Sequence, residues 1–308
     1  MKVFVAGGSG AMGRRLVPRL VAEGYEVAAM TRDEGKAPWL SAVGAQPVIT
    51  DALDRAAVRA AVAGARPDVV IHQLTGLTGV SSYKNFDREF ALTNRLRTEG
   101  TDYLIEGARL AGVRRFIAQS YGNWNYARTG TGLKTEQDPF DSAPPANQKQ
   151  SLAAIRYVES AVAGAEGIEG IALRYGNFYG PGTGFAVDGA MVAQIRKRRL
   201  PIVGDGSGVW SFVHMDDAAA AAIAAIGHGE PGVYNVVDDE PLPVSVWLGR
   251  LAAGEVGVSM MTQIRGTSNA KAKAELGWAP QYRTCREGFR DGLGNVPVPG
   301  YGPLPASS

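Results

Sequence analysis

Cysteine and histidine are scarce in this sequence, which holds 1 cysteine and 3 histidines among 308 residues. The lone Cys285 cannot form an internal disulfide, and His72, His214 and His228 are too dispersed for the ligand spacing of a metal site. We therefore expect no bound metal, and a reducing, cytoplasmic compartment.

Long hydrophobic runs and an excess of one charge are also missing. The apolar run 3–6 is soon interrupted by glycines, which argues against a signal peptide or a membrane span there. A total of 32 lysines and arginines against 30 acids leaves a net charge of +2, spread along the chain. We expect neither a nucleic-acid nor a membrane partner, and the 45% of hydrophobic residues predict a sizeable core.

Short apolar segments instead alternate with amphipathic helical stretches. Five of them are typical of buried strands: residues 3–6, 27–30, 47–49, 69–71 and 116–118. Such alternation predicts an α/β fold of the Rossmann type, a doubly wound parallel sheet with helices on both faces. A long helix over 86–111 is expected between the last two strands.

The segment 121–145 is rich in Gly, Asn, Thr, Asp and Pro, which predicts a long loop that is either a functional lid or disordered. In the helix that follows, Leu152, Ile155, Val158 and Val162 recur near the helical period. This apolar face packs either against the sheet or against a second subunit in a homodimer.

A glycine pattern follows the first strand directly. Gly7, Gly10 and Gly13 have the spacing G-x-x-G-x-x-G and open the predicted helix 11–23. Glycines there allow a tight turn and let a pyrophosphate approach the helix N-terminus, whose free N–H groups favour an anion. The pattern predicts a dinucleotide site, lined also by Ser9, Ala11 and Met12; the alternative is an ordinary glycine-rich turn.

The end of the second strand indicates which dinucleotide binds. An acid that would hold the ribose hydroxyls of NAD is replaced by Thr31 and Arg32. Arg32 favours NADP because its guanidinium suits a 2′-phosphate, unless it is a solvated residue paired with Asp33 or Glu34.

The third strand is followed by the segment Asp51, Ala52, Leu53. The Asp51 carboxylate either accepts the adenine amino group or caps the next helix. We divide the chain into a mainly NADP-binding Rossmann domain (1–180), a mainly substrate-binding lobe interleaved with it (181–295), and a flexible tail (296–308).

Several motifs together resemble the extended short-chain dehydrogenases/reductases, which include nucleotide-sugar epimerases and dehydratases. They are GGSGAMG, ITDALD, VVIHQLTG, TNRLRTEGT, LRYGNFYGPG, WSFVHMDDAAAA and SNAKAKAELGW, and they cover about residues 1–290. The resemblance implies that Gln73, Leu74 and Thr75 lie along the cofactor and that Asn94 supports the site. It also implies that Tyr175 and Asn177 are near the nicotinamide, and that His214, Asp216 and Asp217 are structural.

The resemblance fails at the catalytic pair. Members carry Tyr-x-x-x-Lys on the helix after the fifth strand, and this sequence contains no such pair. Its positions fall on Ser151 and Ile155 or, with a shift of one residue, on Leu152 and Arg156. The family serine falls on Ser120 or Tyr121.

Three explanations stand: a reductase with another proton donor, an enzyme whose substrate supplies the proton, or a non-catalytic NADP(H)-sensing protein. We favour a reductase, because hydride transfer needs only orientation and some source of a proton. Tyr121, with Ser120 beside it, is the first candidate donor, unless it packs under the loop; Lys149 is a weaker stand-in for the missing lysine.

The substrate side lacks the arginine that grips a nucleotide-sugar diphosphate in similar epimerases, and Trp210 stands there. Trp210, Trp124 and Tyr126 predict a hydrophobic or aromatic small-molecule ketone, unless Trp210 is buried in the second lobe. By similarity to atypical ketoreductases of aromatic polyketides, we expect a secondary-metabolite ketoreductase; a nucleotide-sugar epimerase or dehydratase is the alternative.

Overall fold

The structure, a computed structural model, describes residues 1–77, 85–130, 132–197, 204–247 and 263–292. Its strands are β1 Lys2–Ala6, β2 Glu26–Thr31, β3 Gln46–Ile49, β4 Val69–His72, β5 Arg115–Tyr121, β6 Glu169–Tyr175, β7 Asn177–Tyr179, β8 Val209–Trp210, β9 Phe212–His214, β10 Gly232–Val236 and β11 Leu242–Pro243. Seven of them form one parallel sheet in the order β10-β6-β5-β4-β1-β2-β3. Because the order reverses between β1 and β4, a ligand is expected at the carboxyl ends of these strands.

Helices cover both faces of the sheet. They are α1 Gly13–Ala22, α2 Ala37–Ala42, α3 Arg55–Ala65, α4 Phe86–Glu89, α5 Ala91–Arg95, α6 Thr101–Ala111, α7 Lys149–Ala163, α8 Ala190–Arg196, α9 Met215–Gly227, α10 Val244–Trp247, α11 Ala270–Glu275 and α12 Cys285–Asp291. The predicted Rossmann fold is confirmed, and all five predicted strands are present.

The predicted helix 86–111 is divided. Phe90 separates α4 from α5, and its ring stacks on Phe86 with 4.2 Å between the ring centroids. A π-helical turn, Leu96–Gly100, then joins α5 to α6. Turns of this kind inside helices are frequent at functional sites.

The apolar face of α7 packs against its own sheet. Leu152, Ile155, Val158 and Val162 are at most 2% exposed, and α7 lies on β5 and β6. The periodicity therefore reports burial within one chain, and it gives no argument for a homodimer.

The loop 121–145 is neither an open lid nor disordered where it is described. Trp124 and Tyr126 are buried, and the Ala127 amide donates to the Pro139 carbonyl at 2.9 Å. The segment folds onto the sheet because its aromatic rings are apolar surface that the carboxyl end of the sheet can cover.

The second half of the chain contributes both to the main sheet and to smaller sheets outside it. β10 pairs with β6 in the main sheet and α9 packs against α1, whereas β7 with β9 and β8 with β11 form two small sheets outside it. The predicted tail 296–308 lies outside the described residues. No helix among those described is both long enough and apolar enough to cross a membrane.

Candidate active site

The loop between β1 and α1 makes a tight turn at the carboxyl end of the sheet. The Gly8 amide donates to the Met30 carbonyl at 2.9 Å, and the Gly10 amide donates to the Gly7 carbonyl at 3.0 Å. The other turn residues that we predicted to line the cofactor differ in exposure: Ala11 is exposed, Ser9 half-buried and Met12 buried. The turn presents backbone groups and the start of α1 to a ligand.

Glycine is needed at two corners of this turn. Gly7 has a φ of +91°, which L side chains rarely adopt, and a Cβ there would lie 3.0 Å from the Gln73 carbonyl oxygen. A Cβ on Gly13 would lie 2.3 Å from the Gly7 carbonyl oxygen. The missing side chains let α1 dock against β1 and leave room for a diphosphate beside the helix N-terminus.

Arg32 directly follows β2. It is exposed and forms no ion pair or hydrogen bond with a described residue, whereas Asp33 binds the Gly35 amide and pairs with Lys36 at 3.7 Å. The alternative in which Asp33 or Glu34 holds Arg32 is therefore wrong. The neighbouring Thr31 hydroxyl lies 2.7 Å from the Ser9 hydroxyl and ties the strand end to the glycine turn.

Asp51 does not cap the next helix. Asp54 caps α3, accepting a hydrogen bond from the Ala57 amide at 3.0 Å, and Asp51 accepts one from the Leu53 amide in a local turn. Asp51 is exposed and Ala52 is buried beside it, which leaves the Asp51 carboxylate accessible for an adenine contact.

The turn after β4 touches the glycine turn. The Gln73 amide donates to the Ala6 carbonyl at 2.9 Å, and the Leu74 amide donates to Nδ1 of His72 at 3.2 Å. Burial lowers the pKa of His72 to about 4, so the ring is neutral and can accept this bond. Leu74 and Thr75 are half-buried next to the glycine turn, where a cofactor would pass.

The residues at the positions of the missing catalytic pair are buried. Ser151 is fully buried, its hydroxyl donates to Asp87 at 2.7 Å, and it accepts a bond from the Asn94 side chain at 3.1 Å. Ile155 is equally buried in an apolar cluster. Neither group can carry a proton to a substrate in this arrangement.

The shifted alternative also fails to restore the pair. Leu152 is 2% exposed, and Arg156 reaches away to donate to the Asp141 carbonyl at 2.8 Å. Lys149 is exposed at the first residue of α7, and nothing in its described surroundings directs it to the site.

Ser120 belongs to a buried network rather than to the reacting centre. Its hydroxyl donates to Glu159 at 2.6 Å, and Arg174 donates to both Glu159 oxygens at 2.8 and 2.7 Å. Burial opposes the charge of Arg174, but the bonds to Glu159 outweigh it and raise the pKa of the guanidinium. Because Ser120 is 0% exposed, our assignment of it as a catalytic group is wrong.

Tyr121 lies at the carboxyl end of β5 and is half-buried. Its hydroxyl donates to Oδ1 of Asn177 at 2.8 Å, and Nδ2 of Asn177 is buried with no hydrogen-bond partner among the described residues. Within the same described part of the chain, Oδ1 of Asn94 is likewise unpaired. Buried polar atoms of this kind are normally satisfied by protein, water or a ligand, so these two are candidate contacts for a ligand.

Tyr175 is not a surface residue of the site. It is 1% exposed and lies in the core beneath α9, with its hydroxyl 3.5 Å from the Ala218 carbonyl oxygen. Tyr175 ends β6 and Asn177 begins β7, so the two residues belong to different strands on either side of Gly176. The expectation that Tyr175 is near the nicotinamide is not supported by a side chain buried in this way.

An aromatic cluster adjoins Tyr121. The Trp124 ring centroid lies 6.2 Å from that of Tyr121 and 5.1 Å from that of Phe86, and Trp210 lies 6.3 Å from Phe212. Trp124, Tyr126 and Trp210 are 4%, 3% and 9% exposed. Trp210 is therefore buried, as its alternative expected, and the three rings form an apolar wall rather than an open stacking surface.

Two basic residues that the motifs did not indicate lie at the site. Arg14 donates to the Ser9 carbonyl at 3.2 Å and lies over the Trp39 ring, beside the glycine turn. Arg97, in the π-helical turn, is 6% exposed and has Tyr121 among its electrostatic neighbours. No feature of the sequence around Arg97 marks it as a site residue, because only the fold brings it to the ends of β4 and β5.

The residues present fit a nicotinamide dinucleotide. The glycine turn at Gly7 and Gly13 would hold the diphosphate, and the ends of β4 and β5 would receive the nicotinamide near the unpaired atoms of Asn94 and Asn177. No group of three or more potential metal ligands occurs among the described residues. Fold and site thus define a dinucleotide-binding oxidoreductase.

Comparison with known proteins supports this class. The sequence profile of the NAD dependent epimerase/dehydratase family matches residues 3–236. The chain is 40% identical to a 3-diazoavenalumate denitrifying reductase of Streptomyces sp, over 96% of this chain and 99% of that protein. It is 29% identical to a 2-alkyl-3-oxoalkanoate reductase of Stenotrophomonas maltophilia (strain K279a), over 82% and 75%.

Solved structures agree on the fold. A UDP-glucose 4-epimerase of Thermus thermophilus in complex with NAD superposes with a TM-score of 0.71 at 26% identity, over 95% of this chain and 98% of that one. A UDP-glucose 4-epimerase of Thermotoga maritima with UDP-glucose gives a TM-score of 0.75 at 22% identity, over 95% and 97%. The chain belongs to the NAD dependent epimerase/dehydratase family. Within it, the chain is an oxidoreductase of the reductase type that uses a nicotinamide cofactor.

Proposed function

We propose that the protein is an NADPH-dependent ketoreductase that transfers hydride to an apolar, aromatic small molecule without a Tyr-Lys pair. The observation that carries the proposal is the site beside Tyr121. It joins an intact glycine turn, unpaired ligand-facing groups and an aromatic wall, while Ser151 and Ile155 fill the positions of the usual pair.

The preference for NADPH rests on Arg32. This guanidinium is exposed at the end of β2, is not held by a neighbouring acid, and no carboxylate stands where the ribose hydroxyls of NAD would bind. Arginine suits a phosphate because it donates in a planar, two-pronged arrangement. Arg14, beside the glycine turn, adds a second positive charge.

An aromatic substrate fits the walls of the site better than a nucleotide sugar does. Trp210 occupies the place expected for a diphosphate-gripping arginine, and Trp124 and Phe86 extend the apolar surface. The names of two relatives also differ from those of nucleotide-sugar enzymes, since one is a reductase of a diazo compound and another of an oxoalkanoate, both written as carboxylates.

With a ketone, the reduction needs a proton at the carbonyl oxygen. The bound cofactor supplies the hydride, which forms the new C–H bond at the carbonyl carbon. The Tyr121 O–H leaves the Asn177 oxygen, donates to the substrate oxygen and protonates the developing alkoxide. Solvent then reprotonates the tyrosine.

A second candidate is the reduction of an aromatic diazonium group, favoured by the lack of a general acid at Ser151 and by the denitrifying relative. Hydride would bond to the carbon that carries nitrogen, the C–N bond would break, and N₂ would leave with the bonding electron pair. This replacement of N₂ by hydride needs no proton at a carbonyl oxygen.

The test is to incubate the purified protein with NADPH or NADH and three substrates: an aryl ketone, an aryl diazonium salt and UDP-glucose. We expect NADPH oxidation with formation of an alcohol, or release of N₂ in the second case. Epimerised UDP-glucose would make the epimerase alternative correct. Binding of both NADPH and NADP⁺ without turnover of any substrate would identify a sensing protein.

A further inference from the structure

Arg97 is a buried cation with no partner among the described residues. It lies in the π-helical turn Leu96–Gly100 and is 6% exposed. Its backbone carbonyl accepts a bond from the Thr101 hydroxyl at 2.8 Å, but its guanidinium forms no hydrogen bond or ion pair with any residue that the structure describes. A guanidinium has five N–H donors, and leaving them unsatisfied in a buried place is unfavourable.

The helix directs Arg97 toward the reacting region. Asn94 and Thr101 flank it at helical spacing; Asn94 bonds Ser151 on α7, and the Thr101 hydroxyl lies 3.1 Å from Nε2 of His72 at the end of β4. The side chain between them therefore lies at the carboxyl ends of β4 and β5. Tyr121 is among the groups that act on its charge.

The local charges do not balance. Glu159 is the nearby carboxylate, but both of its oxygens are taken by Arg174 and one of them also by Ser120. His72 is neutral, because burial lowers its pKa to about 4. Glu159, the carboxylate that acts on the charge of Arg97, is thus already engaged by Arg174, and an anionic ligand can supply the counter-charge of Arg97.

We propose that Arg97 binds a carboxylate of the substrate, which makes the enzyme selective for aromatic acids. Two ligands could supply the anion that pairs with Arg97: the substrate, through its carboxylate, or the cofactor, through its diphosphate. The glycine turn already provides for the diphosphate, whereas the charge of Arg97 is influenced by Tyr121, whose hydroxyl bonds Asn177 at the end of β5. The inference rests on the proposed function for the identity of its ligand class.

The experiment compares benzoylacetate with its neutral methyl ester in the wild type, Arg97→Gln and Arg97→Lys. Binding is measured by calorimetry in the presence of NADP⁺, and NADPH affinity is measured separately without substrate. Arg97→Gln should weaken the acid about ten- to a hundredfold, the range of a charge-assisted hydrogen bond, and change the ester less than about twofold. Arg97→Lys should recover most of the acid binding.

Arg95→Gln is the matched control, since Arg95 is exposed two residues earlier and already paired with Glu99. Equal losses for acid and ester, or failure of the wild type to prefer the acid, would overturn the proposal. An equal loss of NADPH affinity without substrate would assign Arg97 to the cofactor instead. Acid-selective binding with no reduction would leave Arg97 as a carboxylate site and contradict the proposed ketoreductase.

Discussion

The Tyr121 hydroxyl donates a 2.8 Å hydrogen bond to the side-chain oxygen of Asn177, joining the end of β5 to the start of β7. The same Asn177 has a buried Nδ2 without a partner among the described residues, and Tyr121 is among the groups that act on the charge of the buried Arg97. If a protein group protonates the substrate, this arrangement selects Tyr121.

Tyr121→Phe should lower kcat for a ketone by at least about a hundredfold, because a positioned general acid contributes about 10² to 10⁴. NADPH binding should be unchanged. Tyr157→Phe is the matched control, since that tyrosine is 41% exposed and bonds Asp102 away from the site. A loss under about tenfold would assign the proton to water or to the substrate, and an undiminished rate with a diazonium salt would favour N₂ release.

Arg32→Ala should weaken NADPH about ten- to a hundredfold and leave NADH nearly unchanged, because only NADPH carries the 2′-phosphate. Fluorescence titration of both cofactors measures this. Arg55→Ala removes an exposed arginine that pairs with Glu106 on α6, and should affect neither cofactor. Equal affinity of the wild type for the two cofactors would contradict the NADP preference.

Glu159→Gln should destabilise the protein by about 3 to 5 kcal/mol, because it leaves Arg174 buried without its counter-charge. Thermal or urea unfolding measures the change. Glu99→Gln breaks a comparable two-bond pair with Arg95 at the surface, where water replaces the lost contact, and should have little effect. Similar stability changes in the two variants would show that the buried network is not coupled to the fold.

Asp238 should make stability fall as the pH rises. It is 1% exposed, neither carboxyl oxygen has a partner among the described residues, and burial followed by the charge of Asp239 raises its pKa to about 9. The folded state therefore keeps a proton that the unfolded chain releases near pH ~4, so stability is lost between about pH 4 and 9.

Asp238→Asn removes this titration, and its gain in melting temperature over the wild type should grow from about pH 5 to about pH 8. Asp205→Asn serves as the control, because Asp205 is at the surface and its bonds to Ser207 lower its pKa, so its titration is over by about pH 5 and its difference from the wild type should stay constant up to about pH 8. A constant difference between Asp238→Asn and the wild type across the range would contradict the assignment.

The parts of the fold that depend on a local sequence pattern were predictable from sequence. The strands are continuous apolar runs because both faces of a parallel sheet are covered, and the glycine turn has its own spacing. The break at Phe90 and the π-helical turn were not predictable, since they depend on which side chains meet across α4, α5 and α7.

The candidate site was predictable as a location but not in its contacts. Sequence spacing brought Ser120 and Tyr121 to the end of one strand, yet alternation along β5 sends Ser120 to Glu159 and Tyr121 to Asn177. Arg97 was missed because its burial without a described partner is a property of three-dimensional packing, which the sequence pattern does not show.

Transfer of deuterium tests the central claim most directly. NADPH deuterated at the transferable position of the nicotinamide is incubated with the protein and an aryl ketone, and the product is analysed by mass spectrometry. The account predicts one deuterium at the reduced carbon, and in Tyr121→Phe a slower rate with the same isotope content. A reduced product without deuterium, whose new C–H hydrogen came from solvent, would contradict direct hydride transfer in this site.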